Sequence, residues 1–107
     1  MSLVRICPAD DVAKGEVIAV TVDDTQLAIV HCEDGTFHAI YDECSHAAIP
    51  LSEGEVDGCT LECWLHGSRF DLRTGKPSGP PATEPVPIYP VEVRDGDIYV
   101  NLSEESK

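Results

Sequence analysis

Two short segments, Cys44-Ser45-His46 and Cys63-Trp64-Leu65-His66, constrain this chain more than any other feature of its sequence. Each offers one thiolate and one imidazole, and sixteen residues lie between His46 and Cys63. Between the two segments sits Asp57-Gly58, a dipeptide that favours the tight turn of a β-hairpin. A hairpin brings its two ends together, so the two donor pairs are expected to converge on one site.

Two soft thiolates and two imidazoles suit zinc or a [2Fe–2S] cluster with mixed ligands. Zinc fingers of the Cys2His2 type usually group their cysteines in one segment and their histidines in another. Here each loop gives one of each. If both thiolates serve one metal ion and both imidazoles the other, each ion takes one ligand from each loop. The chain order Cys, His, Cys, His delivers that arrangement. Gly67 lets the backbone approach the site without a Cβ, and Ser68 offers a hydroxyl donor to a cluster sulfur.

The rest of the chain is turn-rich and reads as all-β. Asp34-Gly35, Asp57-Gly58 and Asp95-Gly96 are hairpin signals, and Thr74-Gly75 is a weaker one. Strand-like runs cover Leu3 to Cys7, Glu16 to Val22, Leu27 to Cys32, Thr36 to Tyr41, Leu61 to Glu62, Arg69 to Leu72, Ile88 to Val93 and Ile98 to Leu102. In the last of these, Ile98, Val100 and Leu102 alternate with Tyr99 and Asn101, the period-2 pattern of a half-buried strand. Its expected partner sets Tyr89, Val91 and Val93 on one face. A single helical turn is expected within Asp10 to Lys14. Six prolines between positions 77 and 90 predict a stiff extended loop, since proline lacks a ladder donor and has a fixed φ. The chain, residues 1–107, is expected to form one domain, with the metal-binding region at about 42–82.

Twenty acidic residues against seven basic ones give a formal net charge of -13. Phosphate binding needs clustered Lys and Arg, so nucleic acid and anionic membrane surfaces are not expected partners. No stretch is apolar for long enough to span a bilayer, and the N-terminus lacks the pattern of a secretory signal; a cytoplasmic location is expected. The five cysteines are an odd number in such a chain, which argues against a disulfide framework. Cys7, Cys32 and Cys59 therefore read as buried or idle thiols. His31 and His38 read as ordinary histidines rather than a second metal site, and Arg69, Arg73 and Lys76 as the charges of a solvated hairpin. Trp64 reads as packing against the Pro-rich loop or as a contact for a partner.

At Cys44-Ser45-His46, Cys63-Trp64-Leu65-His66-Gly67-Ser68, Gly79-Pro80-Pro81-Ala82 and the closing Asp95-Gly96 hairpin, the sequence resembles the Rieske family. The likeness is strongest to the soluble bacterial Rieske ferredoxins that serve non-haem iron, aromatic-ring-hydroxylating oxygenases. The resemblance implies a Rieske-type antiparallel β-sandwich with two cluster-binding loops at one tip and a Pro-rich covering loop. It implies one [2Fe–2S] cluster, with Cys44 and Cys63 on one iron and His46 and His66 on the other. It also implies a one-electron carrier, not an enzyme, between a flavin-dependent reductase and a terminal oxygenase; a monomer is the expectation for so small a shuttle. An accessory ferredoxin of iron–sulfur cluster assembly is the alternative, and a zinc-stabilised binding module a more distant one. Respiratory Rieske proteins carry an extra cysteine in each cluster loop and a hydrogen-bonding Tyr two residues after the Ser. Here Ile49, Leu65 and Phe70 stand at those places. With those devices lacking, a reduction potential near the low end of the Rieske range, about −150 mV, is expected.

Overall fold

The run Leu27-Ala28-Ile29-Val30 is wholly buried, and its side chains divide between two cores. Successive strand residues point to opposite faces. Ala28 and Val30 therefore enter one core, with Ile40, Leu51, Leu61, Phe70, Leu72 and Val86. Leu27 and Ile29 enter the other, with Val12, Ala39, Tyr89, Ile98 and Val100. A strand covered on both faces reads as a continuous apolar run rather than an alternating one, which is how this segment reads.

The computed structural model describes residues 3–22, 24–43, 50–62, 69–77 and 86–102. Ten strands are described: β1 (Leu3–Pro8), β2 (Val17–Val22), β3 (Thr25–His31), β4 (Phe37–Tyr41), β5 (Glu55–Asp57), β6 (Thr60–Glu62), β7 (Arg69–Asp71), β8 (Ile88–Tyr89), β9 (Val91–Arg94) and β10 (Asp97–Asn101). They form three sheets, ordered β2-β3-β4-β8, β1-β10-β9 and β5-β6-β7. Every strand pair is antiparallel. The four-stranded sheet packs one face on β9–β10 and the other on β6–β7. The expected all-β antiparallel architecture is what the chain adopts.

Three local expectations change. The single run Ile88 to Val93 is divided at Pro90 into β8 and β9, which belong to different sheets. Proline cannot donate to a ladder, and the chain changes sheet there: Tyr41 donates to the Pro87 carbonyl and Asn101 to the Pro90 carbonyl. Tyr89 is therefore buried in the four-stranded sheet, whereas Val93 lies opposite Ile98 and is exposed. The helical turn falls at Ala9–Asp11, overlapping the start of the expected span. Glu55–Asp57 is a strand that the alternating charges concealed. The Asp-Gly turns form as expected: Asp95 and Gly96 have φ of 52° and 82°, both in the left-handed region that a type I′ turn requires.

Gly54 fits β5 against its neighbour. A Cβ at this position would run into the backbone carbonyl of Glu62. Gly54→Ala must displace one backbone segment or the other, and is expected to cost about 1–3 kcal/mol as an overpacking change. The check is a urea unfolding curve against the parent protein.

Candidate metal centre and its supports

The four donors Cys44, His46, Cys63 and His66, together with Ile49, Trp64, Leu65, Gly67, Ser68 and Gly79 to Ala82, lie outside the described residues. The segments that carry the donors can be placed by their ends. Residues 63–68 leave β6 at Glu62 and return to β7 at Arg69, and these two residues are register partners. The second donor pair is thus carried by a hairpin connection of six residues. The first donor pair lies between Glu43 and Pro50. Its chain then makes a 3-10 turn at Leu51–Glu53, anchored by the fully buried Leu51. Glu55 follows, and its register partner is again Glu62. Both donor segments therefore attach at the same end of the β5-β6-β7 sheet. Such attachment fits a site that draws one thiolate and one imidazole from each.

The Pro-rich segment attaches to the same sheet. Pro77 bridges to Phe70, one residue from the end of the second donor segment. The chain comes back at Val86, whose N–H donates to the Gly75 carbonyl at 2.9 Å. Gly75 has φ of 78° and sits against the Val86 carbonyl, so a side chain there is excluded both by conformation and by space. Phe70 is fully buried in the core with Leu61 and Leu72.

Asp42 closes the first donor segment at its base. It is only 5% exposed. One carboxylate oxygen accepts from the Ser52 N–H and the other from the Ser52 hydroxyl, both at 2.7 Å. Its own N–H donates to the Gln26 carbonyl in β3. One side chain thus ties both exits of the segment to each other, and its backbone ties them to the central sheet. Composition concealed this role among twenty acidic residues; the position of Asp42 directly after the apolar strand β4 is the signal that marks it. Hydrogen bonds to a charged group each contribute about 1.5–3 kcal/mol. Asp42→Ala leaves the Ser52 N–H and hydroxyl without their acceptor in a partly buried position, and is expected to destabilise the protein by about 3 kcal/mol. The measurement is thermal unfolding by circular dichroism, with visible absorbance followed in parallel.

A second cluster of donors was not expected. Cys32 and Cys59 are joined by a disulfide, which corrects the reading of both as separate thiols. The expectation came from an odd cysteine count, but parity does not matter when other cysteines have separate tasks. Cys7 is a free thiol, and its partial burial pushes its ionisation up. The two joined cysteines stand beside successive Asp-Gly turns, Cys32 before Asp34-Gly35 and Cys59 after Asp57-Gly58. Those turns touch: the Glu33 N–H donates to the Gly58 carbonyl at 3.2 Å. A donor nitrogen of His38 lies within 4.8 Å of both sulfurs, so His38 has the cysteine neighbours that its sequence surroundings lack. His31 is structural, as expected. Its Nδ1 is 2.9 Å from the Val12 carbonyl, and its ring stacks on Phe37 with centroids 4.0 Å apart. Two of the three basic residues of the hairpin are held by acids: Arg69 by Asp57 at 2.8 Å, and Arg73 by Asp34.

Residues 2–90 match the family described as Rieske [2Fe-2S] domain. The chain is 42% identical over 105 residues to the 3-phenylpropionate/cinnamic acid dioxygenase ferredoxin subunit of Escherichia coli (strain K12), covering 97% of each chain. It is 39% identical over 104 residues to the biphenyl dioxygenase ferredoxin subunit of Pseudomonas sp. (strain KKS102), covering 96% of this chain and 94% of that one. Among solved structures, it is similar to a chain from the complex of reduced oxygenase and oxidized ferredoxin in carbazole 1,9a-dioxygenase. The TM-score there is 0.88 at 36% identity, covering 98% of this chain and 96% of the other.

Proposed function

The chain belongs to the Rieske [2Fe–2S] family, and from that premise we propose that Cys44, His46, Cys63 and His66 hold one such cluster. The protein is an electron-transfer ferredoxin of the dioxygenase type rather than a catalyst. The observation that carries the ligand assignment is the attachment of both donor segments at the Glu62 end of one small sheet. The family matches up to residue 90, yet β9 and β10 lie beyond it, and β10 pairs with both β9 and the N-terminal β1. We therefore take residues 1–107 as one domain.

When bound, the cluster supplies reversible one-electron chemistry. What the chain contributes is charge and access. Two thiolates and two neutral imidazoles bring a donor charge of -2, where four thiolates would bring -4. The lower negative charge makes an added electron easier to accommodate. The Pro-rich segment leaves beside Phe70 and returns at Val86, and in this reading it covers the site. Among the described residues, no helix is long and apolar enough to cross a membrane.

The electron's destination in this reading is a terminal non-haem iron oxygenase, and its source a flavin-dependent reductase. The carrier acts as a monomer in the cytoplasm. A surface with net charge -13 is steered toward basic docking surfaces, and salt screens that steering. The test is stopped-flow electron transfer from candidate reductases and to candidate oxygenases of the same genome. With the true partners, the association rate is expected to fall at least about tenfold between about 0.01 and 0.5 M salt. Transfer to no oxygenase would remove this assignment.

A further inference from the structure

We propose that Cys32, Cys59 and His38 form a thiol–disulfide exchange site, reacting with small thiols and disulfides of the glutathione class, distinct from the cluster ligands. The site spans two turns. Cys32 directly follows β3 and is fully buried, whereas Cys59 lies in the β5–β6 turn and is partly exposed. Cys59 is thus the sulfur that an incoming thiol reaches, and Cys32 the one that resolves.

The surroundings of His38 argue for chemistry rather than mere packing. The Thr36 hydroxyl donates to Asp34 Oδ1 at 2.6 Å, so its single proton is spent. The same hydroxyl lies 2.9 Å from His38 Nε2 and must accept there, which places the imidazole proton on Nε2 and leaves the lone pair on Nδ1. Asp34 is itself fixed by the Thr36 N–H and by Arg73. Its carboxyl is pulled down to about 2, chiefly by the Thr36 hydroxyl. A carboxylate–hydroxyl–imidazole chain therefore orients a neutral base beside a cystine. The charged groups facing His38 are Arg73, Asp34 and Asp71, and burial is the main cause holding its ionisation below the ordinary imidazole range. His38 also lines a cleft of about 300 Å³ with Phe37, Leu72 and Arg73, which gives the ring access from solvent.

In the oxidising direction, His38 takes the proton of the Cys59 thiol. The thiolate attacks one sulfur of the disulfide RSSR; that S–S bond breaks, and the leaving thiolate receives the proton as RSH. Cys32 then attacks the Cys59 sulfur of the mixed disulfide, expelling a second RSH. Two electrons pass from the protein dithiol to RSSR, and two thiol protons end on two RSH. Reduction by RSH is the reverse, with His38 in its protonated form supplying the proton to the departing thiolate.

The test uses the holoprotein in a Cys7→Ser background, equilibrated with reduced and oxidised glutathione. After acid quench and alkylation, the peptides containing Cys32 and Cys59 are measured by mass spectrometry. Both peptides are expected to gain and lose the label together and reversibly, while the visible absorbance of the cluster is retained. His38→Gln is expected to slow re-oxidation at least tenfold and to remove the inflection of its rate between mildly acidic and neutral pH. The proposal is overturned if the pair is reduced only under denaturant, or if label shows the two thiols free in oxidising buffer. It is overturned equally if His38→Gln re-oxidises at the parent rate with the parent pH profile.

Discussion

A double variant His46→Ala, His66→Ala is expected to fold, yet to purify without the visible absorbance of an iron–sulfur cluster. Two of the four proposed donors are removed, and alanine offers nothing in their place. The fold survives because both cores are built from other residues: Leu27, Ile29, Ile98 and Val100 on one side of the central sheet, and Val30, Ile40, Leu61 and Phe70 on the other. Far-ultraviolet circular dichroism reads the fold, and iron and acid-labile sulfide analysis reads the cluster. The companion variant His46→Cys, His66→Cys tests the charge argument. It adds two negative donors, so any cluster it retains is expected near the all-thiolate value of about −400 mV rather than about −150 mV. Retention of two irons with an unchanged spectrum in the alanine variant would remove these histidines from the ligand set.

Breaking the Cys32–Cys59 bond has the second large expected effect, on stability. The bond closes a loop with a sequence separation of 27. In the chain-entropy description, a closure of that length contributes about 3.5 kcal/mol by restricting the unfolded chain. For a domain of this size that corresponds to a fall in Tm of roughly 15–25 °C. Cys32→Ala, Cys59→Ala, compared calorimetrically with the oxidised parent, is the measurement. Equal Tm values would mean that the crosslink does not form in the folded protein. The closed loop also contains Cys44 and His46, so the variant is expected to release iron earlier on heating than the parent.

Much of the strand placement was legible because local chemistry dictates it. Asp34-Gly35, Asp57-Gly58 and Asp95-Gly96 form turns because their glycines take positive φ, at 95°, 62° and 82°. The four proposed donors stand out in the sequence because their spacing and residue types are rare in combination. What stayed hidden depends on partners remote in sequence. Pro90 reads locally as a loop residue, but its effect, sending Ile88 and Val91 to different sheets, is set by where β4 and β10 lie. Asp42 looks like one acid among twenty until Ser52, ten residues on, is placed against it. Cys32 and Cys59 meet only because two turns from separate hairpins are packed together. His38 joins them from a strand whose sequence gives no hint of a sulfur neighbour.

The pairing of Asp42 with Ser52 separates anchorage from content. Whatever occupies positions 43–51 begins and ends at a point set by one carboxylate and its two donors. Substitutions at 43, 45 and 47–49, which leave the proposed donors and the buried Leu51 in place, are then expected to alter the electrostatic surroundings of the proposed cluster more than the packing of the sheets. Differences in driving force between carriers of this kind are then open to small changes of sequence there, at little cost to the rest of the fold.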